Sequence, residues 1–320
     1  MWEPIPVKAA VLYGKYNIVV EEVDKPHIEK DDQVLVRVHS ALLCGADLHL
    51  FVGNMKSQYP IVPGYCFSGV IEEVGAGVTD FREKDRVCGL NFGSFGAFAE
   101  SILLSQDKIY KIPDSVQFEE AAFIEQVTLA FKSLELTKPV RGENVLVIGQ
   151  GILGLIHTQL FKKTRTTVFS ADLIPSRLSM SRKTGADYLL NPEECDVLET
   201  VSNITERGID IVIEATGSPK TVELLSKLAR EGVRMVLFGV GWWNPAMREQ
   251  VEIYRVYGTR DIRKEDCLSA LKTISEGKID LRTLISHRIP LEKIDEAYRL
   301  ALNPSQGEYT PKAIGVIINP

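Results

Sequence analysis

Residues 144–155 read NVLVIGQGILGL. A short apolar run, strand-like in character, enters Gly149-Gln150-Gly151. It leaves through Gly154 into the helix-like stretch GILGLIHTQLFKK. The three glycines have G-x-G-x-x-G spacing, and Asp172 closes the next strand-like run, TTVFSAD, 23 residues after Gly149. A strand, a glycine turn, a helix and then an acidic residue together mark a dinucleotide-binding turn, whereas the glycines alone are a weak signal. In that reading Gly149 permits the tight turn, Gly151 lets the backbone approach a pyrophosphate, and Gly154 lets helix and strand pack closely. The helix N-terminus offers free N–H groups to the phosphates. Asp172 can accept hydrogen bonds from both ribose hydroxyls and would repel a 2′-phosphate, which favours NAD(H) over NADP(H). Arg177 is the opposing feature, with an exposed helix residue as its plain alternative. Ile152, Leu153, Thr216 and Gly239 complete the expected coenzyme contacts.

Outward from this motif the pattern continues. Strand-like runs at NVLVIG, TTVFSAD, ADYLLN, GIDIVIEAT and GVRMVLFGV alternate with helix-like ones. The strand runs are continuously apolar, as in a parallel sheet covered on both faces. They predict a doubly wound α/β domain. Before residue 111 the pattern differs: VKAAVLY, IVVEEV, QVLVRVHSALL, GVIEEVG, DRVCGL and FAESILL alternate valine with polar residues between Gly, Asp, Asn and Pro clusters. That is the half-buried antiparallel signature. Ala122, Leu129 and Leu136 then open a helical period. Near the C-terminus Pro290 is expected to open a helix over 291–302, with AIGVIIN as a last strand.

At 320 residues, 45% apolar and 25% charged, with net charge -6, the chain reads as an ordinary two-domain globular protein. The negative charge argues against nucleic acid or an anionic membrane as partner. No apolar run reaches a membrane span, and the N-terminus lacks a secretory pattern. Five cysteines, at 44, 66, 88, 195 and 267, without a CxxC pair, predict reduced thiols and a cytoplasmic location.

The motifs LLCGADLH, PIVPGYCFSGVIEEVGAGV, KDRV, GAFAE, AAFIEQVTLA, NVLVIGQGILGL, IDIVIEATG and ISHRIPLEKIDEAY occur in this order. In combination the chain resembles, end to end, the medium-chain dehydrogenase/reductase family, nearest its zinc-type alcohol, polyol and threonine dehydrogenases. The resemblance implies a GroES-like, mostly-β catalytic domain over 1–122 and 288–320, and a Rossmann domain over 123–287. It implies hydride transfer between a nicotinamide and a secondary alcohol or ketone, sugar- or polyol-like. It also implies a small-molecule substrate and a homodimer or homotetramer. A non-catalytic dinucleotide-binding sensor or scaffold, and a zinc-independent enone or quinone reductase, are the alternatives. The second would prefer NADPH, against Asp172.

The departures from the family concern metal. Its zinc-dependent members read Gly-His-Glu where this chain has Gly64-Tyr65-Cys66. Tyr65 therefore stands at the position of a zinc ligand. The first ligand position is kept as Cys44 and the third as Glu125, with Gln126 in place of the usual proline. The relay hydroxyl is replaced by Ala46. His49 stands where a relay histidine is expected, and Asp47 where a carboxylate would orient the lost histidine. A phenol is a poor zinc ligand at neutral pH. The expectation is thus no stoichiometric zinc in the usual three-ligand geometry, with Tyr65 facing the substrate as a proton donor or filling vacated volume. Cys66 is the candidate substitute ligand, in a set of Cys44, Cys66 and Glu125, or else a small buried hydrophobe. Neighbours in an extended segment point opposite ways, so Tyr65 and Cys66 are not expected to ligate a metal together. A structural zinc is excluded, because the gap between KDRV and GAFAE holds one cysteine, Cys88, and cannot supply four. Trp242 and Trp243 are candidates to wall the substrate site or a subunit contact. His39, His157 and His287 read as structural.

Overall fold

The change of period near residue 120 becomes a change of architecture. The computed structural model describes residues 5–55, 57–91, 95–218, 221–228, 231–238, 252–256, 262–302 and 313–320. Gly239, Trp242 and Trp243 lie outside them.

The chain begins with β1 (Pro6–Gly14), β2 (Asn17–Asp24), β3 (Gln33–Leu43), α1 (Gly45–Phe51) and β4 (Cys66–Val74). β5 (Arg86–Leu90), β6 (Ser101–Ser105), β7 (Ile109–Lys111) and α2 (Phe118–Ala121) follow. Next come α3 (Ile124–Thr137), β8 (Asn144–Ile148), α4 (Ile152–Lys163), β9 (Thr167–Ala171), α5 (Pro175–Thr184), β10 (Tyr188–Leu190) and α6 (Val197–Ile204). β11 (Ile211–Glu214), α7 (Val222–Leu228), β12 (Arg234–Phe238), β13 (Glu252–Val256) and α8 (Lys264–Ser275) complete this run. The chain closes with β14 (Ile285–Pro290), α9 (Ile294–Ala301) and β15 (Gly315–Asn319). Two compact units result: Met1–Glu125 with Leu271–Glu276 and Leu281–Pro320, and Gln126–Ala270 with Gly277–Asp280.

The first unit is built on a seven-stranded sheet, β14-β15-β3-β4-β5-β7 with β6 also paired to β3, beside the β1–β2 hairpin. In β3, Val34, Val36 and Val38 are buried in its core while Arg37 and His39 face solvent, the alternation expected of a half-buried strand. The last strand returns to this unit: β15 pairs antiparallel with β3, Val316 opposite Leu43.

The second unit is a six-stranded sheet in the order β10-β9-β8-β11-β12-β13, with every pair parallel. Both faces are filled: Val145 and Val147 join one apolar cluster, Leu146 and Ile148 the other. This explains why β8 reads as a continuous apolar run. The order reverses between β8 and β11, the place where doubly wound sheets bind nucleotides. Local signals fix the helix ends. Pro175 starts α5 and Gly185 ends it in the left-handed conformation, φ +117°. Asp196 caps α6 by accepting from the N–H groups of Leu198 and Glu199.

Pro290 caps the helical stretch from outside rather than lying in its first turn. It ends β14, opposite Asn319, and a 3-10 turn over Leu291–Lys293 precedes α9. As an edge-strand terminus it need donate no ladder hydrogen bond, so proline is tolerated there.

Candidate active site

Two places carry chemistry, one in each unit. In the second, the backbone itself makes the site. Gly149 follows β8 with φ +90°, and a Cβ on it would lie 2.6 Å from Thr216 Cγ2. A Cβ on Gly154 would lie 1.8 Å from the carbonyl oxygen of Gly149, so only glycine permits this helix–strand contact. A Cβ on Gly151, by contrast, would meet nothing within 4 Å. The open space at Gly151, at the start of α4, fits a pyrophosphate approaching the backbone. Ile152 and Leu153, in the first turn of α4, are partly exposed.

Asp172 follows β9. Its carboxylate accepts from Gln150 N at 2.6 Å and from Ile174 N at 2.8 Å, which ties the acidic residue to the glycine turn. Arg177 is not an exposed helix residue. Its side chain is 11% exposed and its Nη1 lies 3.8 Å from Asp172 Oδ2. Burial lowers the Arg177 pKa, and Asp172 opposes that. Glu214, a residue the sequence reading missed, ends β11 with a buried carboxylate that accepts from Thr216 N at 2.8 Å and from the Thr216 hydroxyl. It holds Thr216 against the glycine turn. Burial raises the Glu214 pKa. Gly, Glu and Thr at strand ends were each visible in the sequence, but their contacts were not.

In the first unit the site is made of side chains. Cys44 caps the N-terminus of α1, and both its N–H and its Sγ donate to Asp47 Oδ2 at 3.0 Å. The other Asp47 oxygen accepts from Gly64 N at 2.8 Å. One carboxylate thereby joins the cysteine turn to the Gly64-Tyr65-Cys66 turn. Gly64 has φ +86°, and a Cβ there would lie 2.7 Å from Phe98 N, so the turn requires glycine. Cys66 starts β4, opposite Leu42 of β3, and is fully buried. Glu125 lies in the first turn of α3, directly after the buried run Ala121–Ile124.

Cys44, Cys66 and Glu125 come together: their ligand atoms all lie within 4.8 Å of one another, and all three residues are buried. Cys66 Sγ is 3.4 Å from Glu125 Oε2. Tyr65 reaches the same oxygen and donates its phenol hydrogen to it. Tyr65 and Cys66 therefore both turn toward Glu125, although neighbours in an extended segment point apart. Tyr65 lies just outside β4, directly after the left-handed turn at Gly64, where strand alternation does not apply. Its ring, edge-on to Phe95, spans the remaining distance. His49 is exposed on α1. Tyr298 of α9, also missed, is 1% exposed and stacks on Phe51 at 4.2 Å.

Burial dominates the electrostatics. It pushes the Glu125 carboxyl up to about 7, opposed by hydrogen bonds from Tyr65 and Cys66. It pushes the Asp47 carboxyl up to about 6, opposed by hydrogen bonds from Cys44. The Cys66 thiol rises to about 12 and Tyr65 moves well above the usual phenol range. All five cysteines are free thiols. Two sulfurs and one carboxylate oxygen form a donor set of the kind zinc takes, three protein ligands with a fourth position left for water or substrate. His157 belongs to neither site. It is buried beside α3, with Nε2 2.8 Å from Ser133 Oγ and Nδ1 2.7 Å from Leu153 O, and burial lowers its pKa to about 4.

Among the described residues no helix is long and apolar enough to cross a membrane. Residues 30–114 match the alcohol dehydrogenase GroES-like domain, and residues 153–272 match the zinc-binding dehydrogenase domain. An alcohol dehydrogenase of Geobacillus stearothermophilus is 30% identical over 91% of this chain and 95% of its own length. A sorbitol dehydrogenase of Bacillus subtilis is 28% identical over 93% of this chain and 94% of its own. Among solved structures, an alcohol dehydrogenase from Thermus sp. ATN1 superposes with a TM-score of 0.85 at 25% identity, covering 98% of this chain and 99% of that one. Matched along nearly its whole length, the chain belongs to the zinc-type medium-chain dehydrogenase family and is an oxidoreductase.

Proposed function

We propose that the protein is an NAD(H)-dependent oxidoreductase of secondary alcohols and ketones, with a polyol-like substrate and an altered zinc site held by Cys44, Cys66 and Glu125. The observation that carries the metal reading is the buried donor set whose atoms lie within 4.8 Å. The residues fit zinc but not in the family's usual arrangement, because position 65 is a tyrosine whose phenol is engaged with Glu125. A zinc ion bound there would polarise a carbonyl or lower the pKa of a bound alcohol.

The chain's own residues do the rest. The glycine turn and the N-terminus of α4 take the pyrophosphate, and Asp172 takes the adenine ribose. The Asp172 carboxylate already receives two backbone N–H groups, which fixes its direction. A nicotinamide bound there would supply or accept the hydride. In this reading His49, exposed on α1, passes the alcohol proton to solvent, the role its position in the family pattern implies. The preference for NAD(H) rests on the Asp172 carboxylate, with Arg177 paired to it rather than free for a phosphate. Polyol chemistry rests on kinship with the sorbitol dehydrogenase. A second, structural zinc is not part of this reading, because Cys88 is a lone cysteine in the relevant segment. The free thiols suit a reducing cytoplasm, and the family kinship suits a homodimer or homotetramer.

The test is turnover of NAD+ with a panel of secondary polyols, and of NADH with the matching ketones. Coenzyme-dependent turnover with at least one pair is expected. Tight NADH binding with no turnover across the panel would identify a non-catalytic dinucleotide-binding protein instead.

A further inference from the structure

The residue in the histidine position is not idle. Tyr65 donates to Glu125 Oε2, the oxygen that Cys66 Sγ approaches at 3.4 Å. On the other side of the cluster, Asp47 accepts from both the Sγ and the N–H of Cys44. Each outlying member of the donor set thus has a partner that fixes it: Asp47 for Cys44, Tyr65 for Glu125. From this arrangement we propose that Tyr65 is a positioning residue for Glu125 as a metal ligand, while the ligating role at this turn falls to Cys66, one place along the chain. The inference rests on the metal reading above.

Glu125 emerges from a fully buried run that includes Phe123 and Ile124. A carboxylate in such surroundings is held in one orientation only if a donor meets it. A phenol supplies one directed O–H, which favours the anion and fixes its rotamer. Partners of this kind set ligand orientation in metal sites, and losing one typically costs about 10–100-fold in metal affinity. A tyrosine that merely filled volume would need no bond from its oxygen. A tyrosine acting as proton donor to substrate would need its hydrogen free, and here that hydrogen is given to Glu125.

The test uses full-length protein stripped with chelator and titrated with Co2+ as the probe. Wild type, Tyr65→Phe, Glu125→Gln and the double variant are compared, with thermal unfolding to establish that each is folded. Thiolate-to-cobalt absorption counts the bound sulfurs independently of activity. Tyr65→Phe is expected to weaken cobalt binding about 10–100-fold while leaving the absorption per bound cobalt unchanged. Glu125→Gln is expected to weaken binding by itself, and adding Tyr65→Phe to it should change affinity by less than about twofold, because the two act through one interaction. Wild-type affinity in Tyr65→Phe, or an equal loss in the Glu125→Gln background, would overturn the positioning role alone. Failure of the wild type to bind cobalt would overturn the metal reading, and this inference with it.

Discussion

The glycine turn after β8 and the cluster around Glu125 are built on opposite principles. At the turn, backbone constrains backbone: a Cβ on Gly154 would sit 1.8 Å from a carbonyl oxygen. At the cluster, side chains constrain one another, through Asp47 to Cys44 and through Tyr65 to Glu125. The first kind of site tolerates almost no change of residue type. The second can exchange its members if the donors are re-supplied from nearby, the role proposed for Cys66 one residue beyond the family's histidine position. The difference shows how the glycine turn can match the family pattern while the side-chain cluster does not.

Three experiments probe this contrast. The largest effect is expected from Gly154→Val. The clash is with backbone and cannot be relieved by a rotamer, so the cost should reach about 3 kcal/mol or more, with little folded protein recovered. Gly151→Ala is the control. Its Cβ meets nothing within 4 Å, so thermal stability should hold while coenzyme affinity falls. Equal stability of the two variants would break the claim that backbone packing defines this site.

Next, two buried groups, Glu125 in the cluster and His157 outside both sites, should respond to pH with opposite sign. Glu125 is raised from 4.5 to about 7 by burial. The native state therefore binds more protons than the unfolded chain across that window, and metal-free protein should lose stability as pH rises through it. His157 is lowered from 6.5 to about 4. There the unfolded chain binds more protons, and stability should be lost as pH falls from 6.5 towards 4. Each contribution is about 3 kcal/mol across its window. Stability curves of metal-free wild type against Glu125→Gln and His157→Asn isolate the two slopes. Slopes of the same sign would contradict the assignment.

The smallest effect is expected from Asp172→Ala, measured by calorimetric titration with NADH and NADPH. Loss of a charge-assisted hydrogen bond should weaken NADH by about tenfold or somewhat more and narrow the gap to NADPH. Tighter NADPH binding by the wild type would show that Arg177, rather than Asp172, sets the choice.

Sequence reading reached the fold because periodicity reports burial directly. The continuous apolar run of β8 and the alternation in β3 each show which faces are covered. It reached the glycine turn because only glycine satisfies the φ of +90° at Gly149 and the contact at Gly154. It did not reach the partnership of Tyr65 with Glu125. That contact joins residues 60 apart in sequence, and the strand-alternation rule that argued against it stops at Cys66, where β4 begins. Of the two readings open for Arg177, only the exposed helix residue falls away: its side chain is 11% exposed, beside Asp172. Glu214 and Tyr298 gave no signal, since a single carboxylate or phenol at a strand end or on a helix has many ordinary uses.

At the Gly64-Tyr65-Cys66 turn, the ligand role is proposed to have passed to Cys66. Elemental analysis of protein purified without chelator tests it most directly, comparing wild type with Cys66→Ser. The account predicts about one zinc per chain in the wild type, filling the single three-ligand site, and almost none in Cys66→Ser. A wild type without zinc, or a full complement of zinc that survives Cys66→Ser, would contradict it.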